Sequence, residues 1–337
     1  MLRLLGILLT VVAAAAVAVV TWPQLFRLER TFPFAQIVSL RAVTVIVLAA
    51  ACVLFLLLCL ARPLRAFAGS MAIVTLIGAI AGGAILLSRG IGPGGLPEPT
   101  DASVRVMTWN TAGAAADADT IARTAVAMQA DIVSLPETTE EVGIAVAVAM
   151  RELGAPMWVH NENFGGWDAN WTSLLISPDL GDYAVVESTV DGTTNTSEVP
   201  SVVAMPVDGN GPIVVAVHAV APREAYMADW RSDLQWLADQ CAADDVIMAG
   251  DFNAALDNMA QLGEGGADLG RCHDAAAATG TGGVGTWSTR VPALLGTPID
   301  HVLSTSGWRA TGSVVLTSLD DSGSDHRPLV VQLEPAR

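Results

Sequence analysis

Lysine is absent from the sequence, and all 17 basic residues are arginine. Residues 100–337 contain ten arginines and 32 acidic residues, so this part carries a formal charge of −22. This acidic composition argues against a basic, aromatic-lined groove that binds nucleic acid. A bound metal ion could still bridge an acidic site to a phosphate group. Residues 1–99 contain seven arginines and two acids, a formal charge of +5, so the two parts of the chain carry opposite net charges.

Cysteine is also scarce, with four residues in the chain. Cys52 and Cys59 lie in an apolar run, where we interpret them as small apolar side chains. Cys241 and Cys272 have neither C-x-x-C spacing nor a nearby pair of histidines, which argues against a zinc site. They are either two unrelated buried residues or one disulfide, and a disulfide would indicate an oxidising outer compartment.

Hydrophobic residues, in contrast, make up 52% of the chain, and many are concentrated in three uncharged runs near the N-terminus. Each run is long enough to cross roughly 30 Å of hydrocarbon as a helix. The first run also fits a cleaved signal peptide, because Arg3 precedes it and small residues are frequent in it. The two further runs favour a retained helix, so we predict a membrane domain over residues 1–89. Its transmembrane helices are expected at about 4–22, 42–61 and 66–88.

Three spans would place residues 90–337 on the opposite side of the membrane from the N-terminus. The positive-inside rule does not say which side that is, because three arginines fall on each face and Arg41 is borderline. The possible disulfide and the lysine-free acidic composition lead us to expect a multi-pass protein of the cell membrane whose catalytic domain is extracytoplasmic.

The remaining sequence predicts one layered domain. Residues 90–103 are dense in glycine and proline and are predicted to form a linker. From residue 104 to residue 337, short apolar runs of strand character alternate with stretches of helical spacing, without an internal repeat. Strands are predicted at 104–109, 131–135, 172–177, 212–220, 245–250, 299–304 and 328–333, and helices at 117–130 and 225–240.

Polar side chains recur where the predicted strands end. In "IMAGDFNA", Asp251 and Asn253 follow an apolar run, although Gly, Asp and Asn are also common turn residues. Each polar residue alone has an ordinary explanation, such as a cap, a core histidine or an ion pair. Together they indicate a hard metal ion with oxygen ligands and acid–base chemistry. The other members of the set are Asn110, Glu137, His218, Asp300, Asp325 and His326.

In this order, the motifs resemble the endonuclease/exonuclease/phosphatase superfamily of metal-dependent phosphoesterases, which includes deoxyribonucleases, sphingomyelinases and inositol-phosphate phosphatases. The resemblance spans about residues 104–334. The matching positions are Asn110 in "TWNTAG", Glu137 in "LPET", His218 in "VHAVAP", Asp251 and Asn253 in "GDFN", Asp300 in "PIDHVL", and Ser324, Asp325 and His326 in "SDH".

The resemblance implies an α/β fold, a four-layer sandwich of two facing sheets flanked by helices, here preceded by the three transmembrane helices. The site is expected at one end, between the sheets. Glu137, with Asn110 and Asp325, is expected to hold a divalent ion, which is Mg²⁺ or, in its place, Mn²⁺ or Ca²⁺. The ion would polarise a phosphoryl oxygen and neutralise developing charge.

The resemblance also assigns roles to five catalytic residues. Asp251 would orient or deprotonate the attacking water, and Asn253 would donate a hydrogen bond to the phosphoryl group. Asp300 would fix the ring of His326, which would contact the phosphate as an imidazolium. His218 would support the leaving group.

One feature of several relatives has no match here, namely a Tyr or Arg in the phosphate pocket between the glutamate and the first histidine. The two tyrosines, Tyr183 and Tyr226, do not lie in a matching motif. Asn170 or Trp171 in "DANWTSLL" is the expected substitute.

The combined expectation is a membrane-anchored bacterial phosphoesterase whose catalytic domain spans residues 104–337. Its substrate would be a lipid headgroup or another small phosphoester of the cell envelope, and the lipid bilayer would be its second partner. Two alternatives stay open at this point. One is a membrane-anchored endonuclease or exonuclease acting on nucleic acid, and the other is a non-catalytic binding protein on the same fold.

Overall fold

A computed structural model describes residues 2–186 and 195–336 of the chain. Its first part consists of α1 (Leu2–Thr21), the short α2 (Phe34–Ser39), α3 (Arg41–Leu58) and α4 (Arg65–Arg89). By length and composition, α1, α3 and α4 are apolar enough to cross a membrane. The three predicted spans therefore coincide with three helices to within a few residues.

The three long helices pack closely at a glycine. Gly78 of α4 is buried, and a Cβ atom at this position would collide with Val17 of α1 and lie 3.1 Å from the Cδ1 atom of Leu48 in α3. Only a glycine leaves room for the side chains of both neighbouring helices, as is common where apolar helices approach each other.

The second part alternates strands and helices, as the sequence predicts. Its helices are α5 (Ala118–Ala127), α6 (Glu140–Glu152), α7 (Met227–Gln240), α8 (Leu256–Met259) and α9 (Ala275–Ala278). Its strands are β1 (Val104–Thr108), β2 (Ile132–Pro136), β3 (Trp158–Asn163), β4 (Trp171–Ile176), β5 (Tyr183–Val185), β6 (Val202–Pro206), β7 (Ile213–His218), β8 (Val246–Asp251), β9 (His273–Asp274), β10 (Asp300–Ser304), β11 (Trp308–Val315) and β12 (Leu329–Pro335).

These strands form two six-stranded sheets, in the orders β11-β12-β1-β2-β4-β3 and β5-β6-β7-β8-β10-β9. Apolar side chains such as Val106, Ile132, Val214 and Ile247 fill the space between the sheets. Helices α5 and α6 cover the outer face of the first sheet, and α7 covers that of the second. The predicted four-layer α/β sandwich is therefore confirmed.

Strand directions bring the predicted polar residues to one end of the sandwich. β1 runs parallel to β2 in one sheet, and β7 runs parallel to β8 in the other. The hydrogen bond from Asn110, after β1, to Asp251, at the end of β8, shows that both pairs end at the same end of the sandwich. β10 runs antiparallel to β8 with Asp300 opposite Asp251, and β12 runs antiparallel to β1. The starts of β10 and β12 therefore lie at that end too.

The glycine- and proline-rich segment 90–103 lies against the sandwich. The Gly95 amide donates to the Ser313 carbonyl at 2.8 Å, and the Gly90 carbonyl accepts from the Gly283 amide at 2.7 Å. These contacts hold the C-terminal end of α4 next to the second part of the chain.

A buried carboxylate provides a second attachment between the two parts. Asp257 of α8 is 1% exposed and accepts hydrogen bonds from Arg41, at the start of α3, and from Arg89, at the end of α4. Gln24, from the segment between α1 and α2, donates to the same carboxylate at 2.8 Å. Side chains from three places in the first part of the chain therefore converge on one acid of the sandwich.

Cys241 and Cys272 form a disulfide, with their Cα atoms 5.7 Å apart. Of the two alternatives left open by the sequence, the structure contains the disulfide. It ties the end of α7 to the segment that precedes β9.

Candidate active site

A carboxylate–histidine–carboxylate row lies at the end of the sandwich. The Nδ1 atom of His326 is 2.8 Å from Oδ2 of Asp300, and its Nε2 atom is 3.8 Å from Oδ2 of Asp251. The indole of Trp109 donates to the His326 carbonyl at 3.0 Å, which fixes the backbone behind the ring. The imidazole is therefore held between two acids, with one nitrogen directed at each.

The charges in this row shift the pKa values of its members. Burial alone would lower the pKa of His326, but the carboxylates of Asp300 and Asp251 outweigh it and raise the pKa to about 10. Burial, together with the negative charge of Asp300, raises the pKa of Asp251 to about 7. The row thus combines an imidazolium with a carboxyl group that titrates near neutral pH.

Asn110 links the two sheets at this end. Its amide nitrogen donates to Oε1 of Glu137 and to Oδ2 of Asp251, both at 3.0 Å, and its amide oxygen accepts from the backbone of Ala112. The amide nitrogen therefore faces the carboxylates. Burial raises the pKa of Glu137, and the hydrogen bond from Asn110 opposes that shift.

Two of the predicted site residues adopt a left-handed backbone. Glu137 has φ of 55° and Asn253 has φ of 48°. Such conformations cost about 1–3 kcal/mol for residues other than glycine and persist where the surroundings enforce them. The Asn253 amide nitrogen donates to the Ala219 carbonyl at 2.9 Å and approaches Oδ2 of Asp251 at 3.2 Å, so its side chain is held beside the row.

The glycine that precedes Asp251 is required by the neighbouring strand. A Cβ atom at Gly250 would collide with the backbone of Val217 in β7, which runs alongside. The motif "GDFN" therefore has two functions in the fold. Its glycine allows the backbones of β7 and β8 to approach closely, and its Asp and Asn supply polar side chains.

His218 ends β7 and faces Glu137 from the other sheet. Its Nε2 atom is 3.8 Å from Oε1 of Glu137, and its buried Nδ1 atom has no hydrogen-bond partner within the described ranges. Burial, and secondarily the charge of His326, lowers the pKa of His218 to about 3. The two histidines of the site therefore differ in charge, since His218 is neutral and His326 is cationic.

Asp325 is held by a tryptophan that the sequence analysis did not single out. The Trp287 indole donates to Oδ2 of Asp325 at 2.9 Å, and Trp287 remains 39% exposed at the edge of the cleft. Arg327, directly after the "SDH" motif, is fully buried, pairs with Asp320 and donates to carbonyls of the loop that carries Trp287. The sequence feature that could have indicated this anchor was Arg327 itself, because it directly follows the "SDH" motif of the site.

The donor set fits a hard divalent cation. Glu137, Asp251, Asp300 and Asp325 supply four carboxylates to this end of the sandwich, against one imidazolium. Ligand atoms of Asp251, Asp300 and His326 lie within 4.8 Å of one another. The buried Oδ1 atom of Asp300 has no hydrogen-bond partner in the part of the chain that the structure describes. Excess carboxylate oxygen of this kind is what Mg²⁺, Mn²⁺ or Ca²⁺ binds in proteins.

Five of the predicted site residues line one cleft of about 730 Å³, namely Glu137, Asp251, Asn253, Asp325 and His326. The other three, Asn110, His218 and Asp300, lie next to members of this set. Part of the cleft wall comes from the first part of the chain. Phe32, Gln36, Ser39 and Leu40, from α2 and its flanking residues, line the same cleft as the predicted site residues. No local pattern in the sequence indicates that this segment lies there. The other wall residues include Ala112, Glu137, Arg223, Asp251, Asn253, Trp287, Asp325 and His326.

The expected substitutes for the missing phosphate-pocket residue lie elsewhere. The Asn170 side chain donates to the Gly165 carbonyl at 2.8 Å, and Trp171 begins β4. Neither belongs to the cleft wall as described. Arg223, which follows β7 and is exposed, is the arginine of that wall among the described residues.

Comparison with known proteins agrees with this arrangement. An endonuclease/exonuclease/phosphatase from Beutenbergia cavernae is 20% identical, with a TM-score of 0.53, covering 70% of this chain and 72% of its own. D. rerio TDP2 complexed with a single-strand DNA product is 17% identical, with a TM-score of 0.51, covering 69% of this chain and 100% of its own. A humanized D. rerio TDP2 gives a TM-score of 0.54 at 17% identity, with coverages of 69% and 100%. These likenesses establish the fold.

No curated protein matches the chain. Residues 107–326 match the pattern of the Endonuclease/Exonuclease/phosphatase family, and this segment contains every predicted site residue from Asn110 to His326. Members of that family are divalent-metal-dependent hydrolases acting on phosphoester bonds. With the sandwich and its cleft, the match shows that this chain belongs to the Endonuclease/Exonuclease/phosphatase family.

Proposed function

We propose that the protein is a membrane-anchored, divalent-metal-dependent phosphoesterase that hydrolyses the phosphate ester of a lipid headgroup. In this proposal, residues 1–89 are the membrane domain, residues 90–103 connect it to the catalytic part, and residues 104–337 are the catalytic domain. The catalytic domain lies outside the cytoplasm.

The cleft wall is the observation that carries the proposal. Phe32, Gln36, Ser39 and Leu40 belong to the segment that joins two helices of membrane-spanning length, so this segment must lie at the membrane surface if they cross it. A cleft that has this segment as one wall opens beside the headgroups of the same surface. A phosphoester there needs no transfer into bulk water to reach the catalytic groups.

The residues of the cleft suit hydrolysis. Glu137 and Asp325 would hold the divalent ion, which when bound supplies positive charge to a phosphoryl oxygen. Asn110, whose amide nitrogen donates to Glu137 and Asp251, would orient these carboxylates. Asp251 accepts a proton from water as the water oxygen bonds to phosphorus, and a base that titrates near neutral pH is efficient in this role. Asn253 faces the phosphoryl group from the same loop.

The two histidines take different parts because their charges differ. The imidazolium of His326, fixed by Asp300, faces the negative charge that develops on the phosphoryl oxygens. His218 is neutral and retains one N–H. This N–H donates to the ester oxygen of the leaving group while the bond between that oxygen and phosphorus breaks. The leaving alcohol then takes its proton from solvent.

The disulfide and the composition support an outward-facing catalytic domain. Disulfides persist in oxidising compartments and are rare in the cytosol. The bond between Cys241 and Cys272 therefore favours the side of the membrane that faces away from the cytoplasm.

A membrane-anchored nuclease is the second candidate. It is favoured by the similarity in fold to D. rerio TDP2 complexed with a single-strand DNA product. The formal charge of −22 on residues 100–337 opposes it, because nucleic-acid affinity depends largely on cationic contacts to phosphate.

The experiment is a substrate panel with the full-length protein in lipid nanodiscs. Phospholipids, single-stranded DNA and sugar phosphates are each supplied with Mg²⁺, Mn²⁺ or Ca²⁺, and again with excess chelator. We expect ion-dependent hydrolysis of a phospholipid headgroup. Cleavage of DNA without lipid hydrolysis would instead establish the nuclease, and hydrolysis that survives the chelator would refute the metal dependence.

A further inference from the structure

A groove of about 360 Å³ lies between α1 and α3. Its walls are apolar apart from one threonine, and several of its residues are exposed, including Val47 at 59%. Within the described residues, no element covers it. The groove is lined by Ala16, Val17, Val20, Ile37, Leu40, Val43, Thr44, Val47 and Leu48.

This groove meets the catalytic cleft at a single side chain. Leu40 lines both the groove and the cleft of about 730 Å³. The helix α2 separates the two spaces, since Ile37 lines the groove while Gln36 and Ser39 line the cleft. The two spaces are therefore neighbours with Leu40 as their common boundary, and this side chain is 39% exposed, so a molecule seated in the groove can reach the cleft by passing over Leu40.

We propose that the groove holds a hydrocarbon chain of the lipid whose phosphoester is hydrolysed, and that it thereby selects substrates with a long chain over those without one. This inference rests on the proposed function. The occupant follows from the adjacency of the two spaces at Leu40, because one molecule with an apolar chain and an anionic phosphoester matches the groove, Leu40 and the cleft in order.

The groove contributes mainly by positioning. In a bilayer, lipid tails are as apolar as the groove, so the gain on seating a chain comes from packing contacts rather than from leaving water. A seated chain restricts the phosphorus atom to the neighbourhood of Asp251 and His326, and such restriction raises the rate of the chemical step. A change in the groove should therefore affect long-chain esters selectively.

The test compares two exposed valines of α3 that differ in location. Val47 lines the groove, whereas Val53, at 58% exposure, does not. Full-length Val47→Trp, which fills the groove, is compared with Val53→Trp, both in nanodiscs. The substrates are 4-methylumbelliferyl hexadecyl phosphate and 4-methylumbelliferyl methyl phosphate, which release the same fluorophore.

We expect Val47→Trp to lower the ratio of kcat/KM for the hexadecyl ester to that for the methyl ester by roughly tenfold, since misplacing a bound substrate is costly. Val53→Trp should leave the ratio at the wild-type value. An unchanged ratio in Val47→Trp, or an equal fall in both variants, overturns the proposal. Ala16→Phe fills the groove from α1 and provides a second variant should Val47→Trp fail to fold.

Failure of the proposed function is recognised separately. If neither ester is hydrolysed with any divalent ion, retention of hexadecyl phosphate is measured by native mass spectrometry in chelator. Reduced retention by Val47→Trp relative to Val53→Trp supports the groove, and equal retention overturns it. The same spectra report the oligomeric state, and loss of a dimer in Val47→Trp would identify the groove as a contact between copies and overturn the lipid assignment.

Discussion

Arg41 and Asp257, 216 residues apart in the chain, form a buried ion pair in which Nε of the arginine lies 2.9 Å from Oδ2 of the acid. Their side chains are 6% and 1% exposed. Asp257 lies four residues after Asn253, so the ion pair joins the start of α3 to the loop that carries Asp251 and Asn253. The position of the apolar helices and the position of the loop with Asp251 and Asn253 are therefore linked.

Removing the charge of Asp257 should loosen that link. In Asp257→Asn, the buried Arg41 and the partly buried Arg89 both lose their acid, and the loss of one partner from a buried pair costs about 3–5 kcal/mol. Thermal unfolding in detergent should show a clearly lower Tm than wild type. Asp244→Asn is the matched control, because Asp244 pairs with Arg271 at 2.8 Å but is 92% exposed. An exposed pair contributes at most about 1 kcal/mol, so equal shifts in the two variants would contradict the role of Asp257.

Glu137→Gln should abolish hydrolysis while leaving the fold intact. The amide has nearly the same size as the carboxylate but removes a charged ligand of a hard cation. Calorimetric titration with Mn²⁺ should show weaker binding, and the Tm should stay close to that of wild type. Glu152→Gln, at the exposed end of α6, is the control. Wild-type Mn²⁺ affinity in Glu137→Gln would remove Glu137 from the ligand set.

His326 and Asp300 should act as one catalytic unit. Because Asp300 holds the His326 ring at 2.8 Å and favours its charged form, loss of either residue removes most of what the pair does. Rate losses on the order of 10²–10⁴ are expected for His326→Ala, for Asp300→Ala and for the double variant alike. The measurement is kcat per folded molecule. Losses that multiply in the double variant would show that the two residues act independently.

His301 should make stability depend on pH in the alkaline range. It is buried, with Nδ1 2.7 Å from Asp274 and Nε2 2.8 Å from the Ala254 carbonyl. Burial alone would lower the pKa of His301, but the hydrogen bond and charge of Asp274, with the Ala254 carbonyl, raise it above the usual 6.5. A pKa raised by folding stabilises the protein fully below the unfolded value, and the contribution is lost as pH rises through the folded value.

The Tm difference between wild type and His301→Gln should therefore be largest below a pH of about 6.5 and shrink as the pH increases. Both proteins contain His326, whose pKa is also raised, so its contribution cancels when the Tm of the variant is subtracted from that of wild type at each pH. His273→Gln changes an exposed histidine, the first residue of β9, and serves as the control. A difference that stays constant with pH would mean that His301 is not charged in the folded protein.

The disulfide predicts the side of the membrane. In cells, non-reduced peptides should contain Cys241 joined to Cys272, and protease added outside spheroplasts should digest the catalytic domain. Reduction should lower stability, typically by about 2–4 kcal/mol for a native disulfide. Free thiols together with a protected C-terminus would place the domain in the cytoplasm.

The end-of-strand residues were predictable because the signal is local. Buried parallel strands read as short apolar runs, and a polar residue directly after such a run falls at the end of a sheet. Asn110, Glu137, His218 and Asp251 all follow this pattern, and the facing sheets bring them together. Their chemical roles stay predictions, since the geometry alone shows proximity.

Other features depend on contacts that leave no local pattern. The edge strands β3 and β11 are partly exposed and lack a continuous apolar run, so they were not predicted. Trp287 reaches Asp325 across 38 residues, and Gln24 reaches Asp257 across 233. Only the folded chain shows that the segment after α1 becomes part of the cleft.

The order in which the chain is translated gives the buried carboxylate of Asp257 a consequence for folding during synthesis. Asp257 is translated 168 residues after Arg89 and 216 after Arg41, so both guanidinium groups are in place long before their acid exists. The helices α1, α3 and α4 are therefore synthesised before their carboxylate partner, and we expect the sandwich to fold later, against a surface that already exists. The N-terminal part of the chain, which is synthesised first, thus provides the surface against which the cleft is completed.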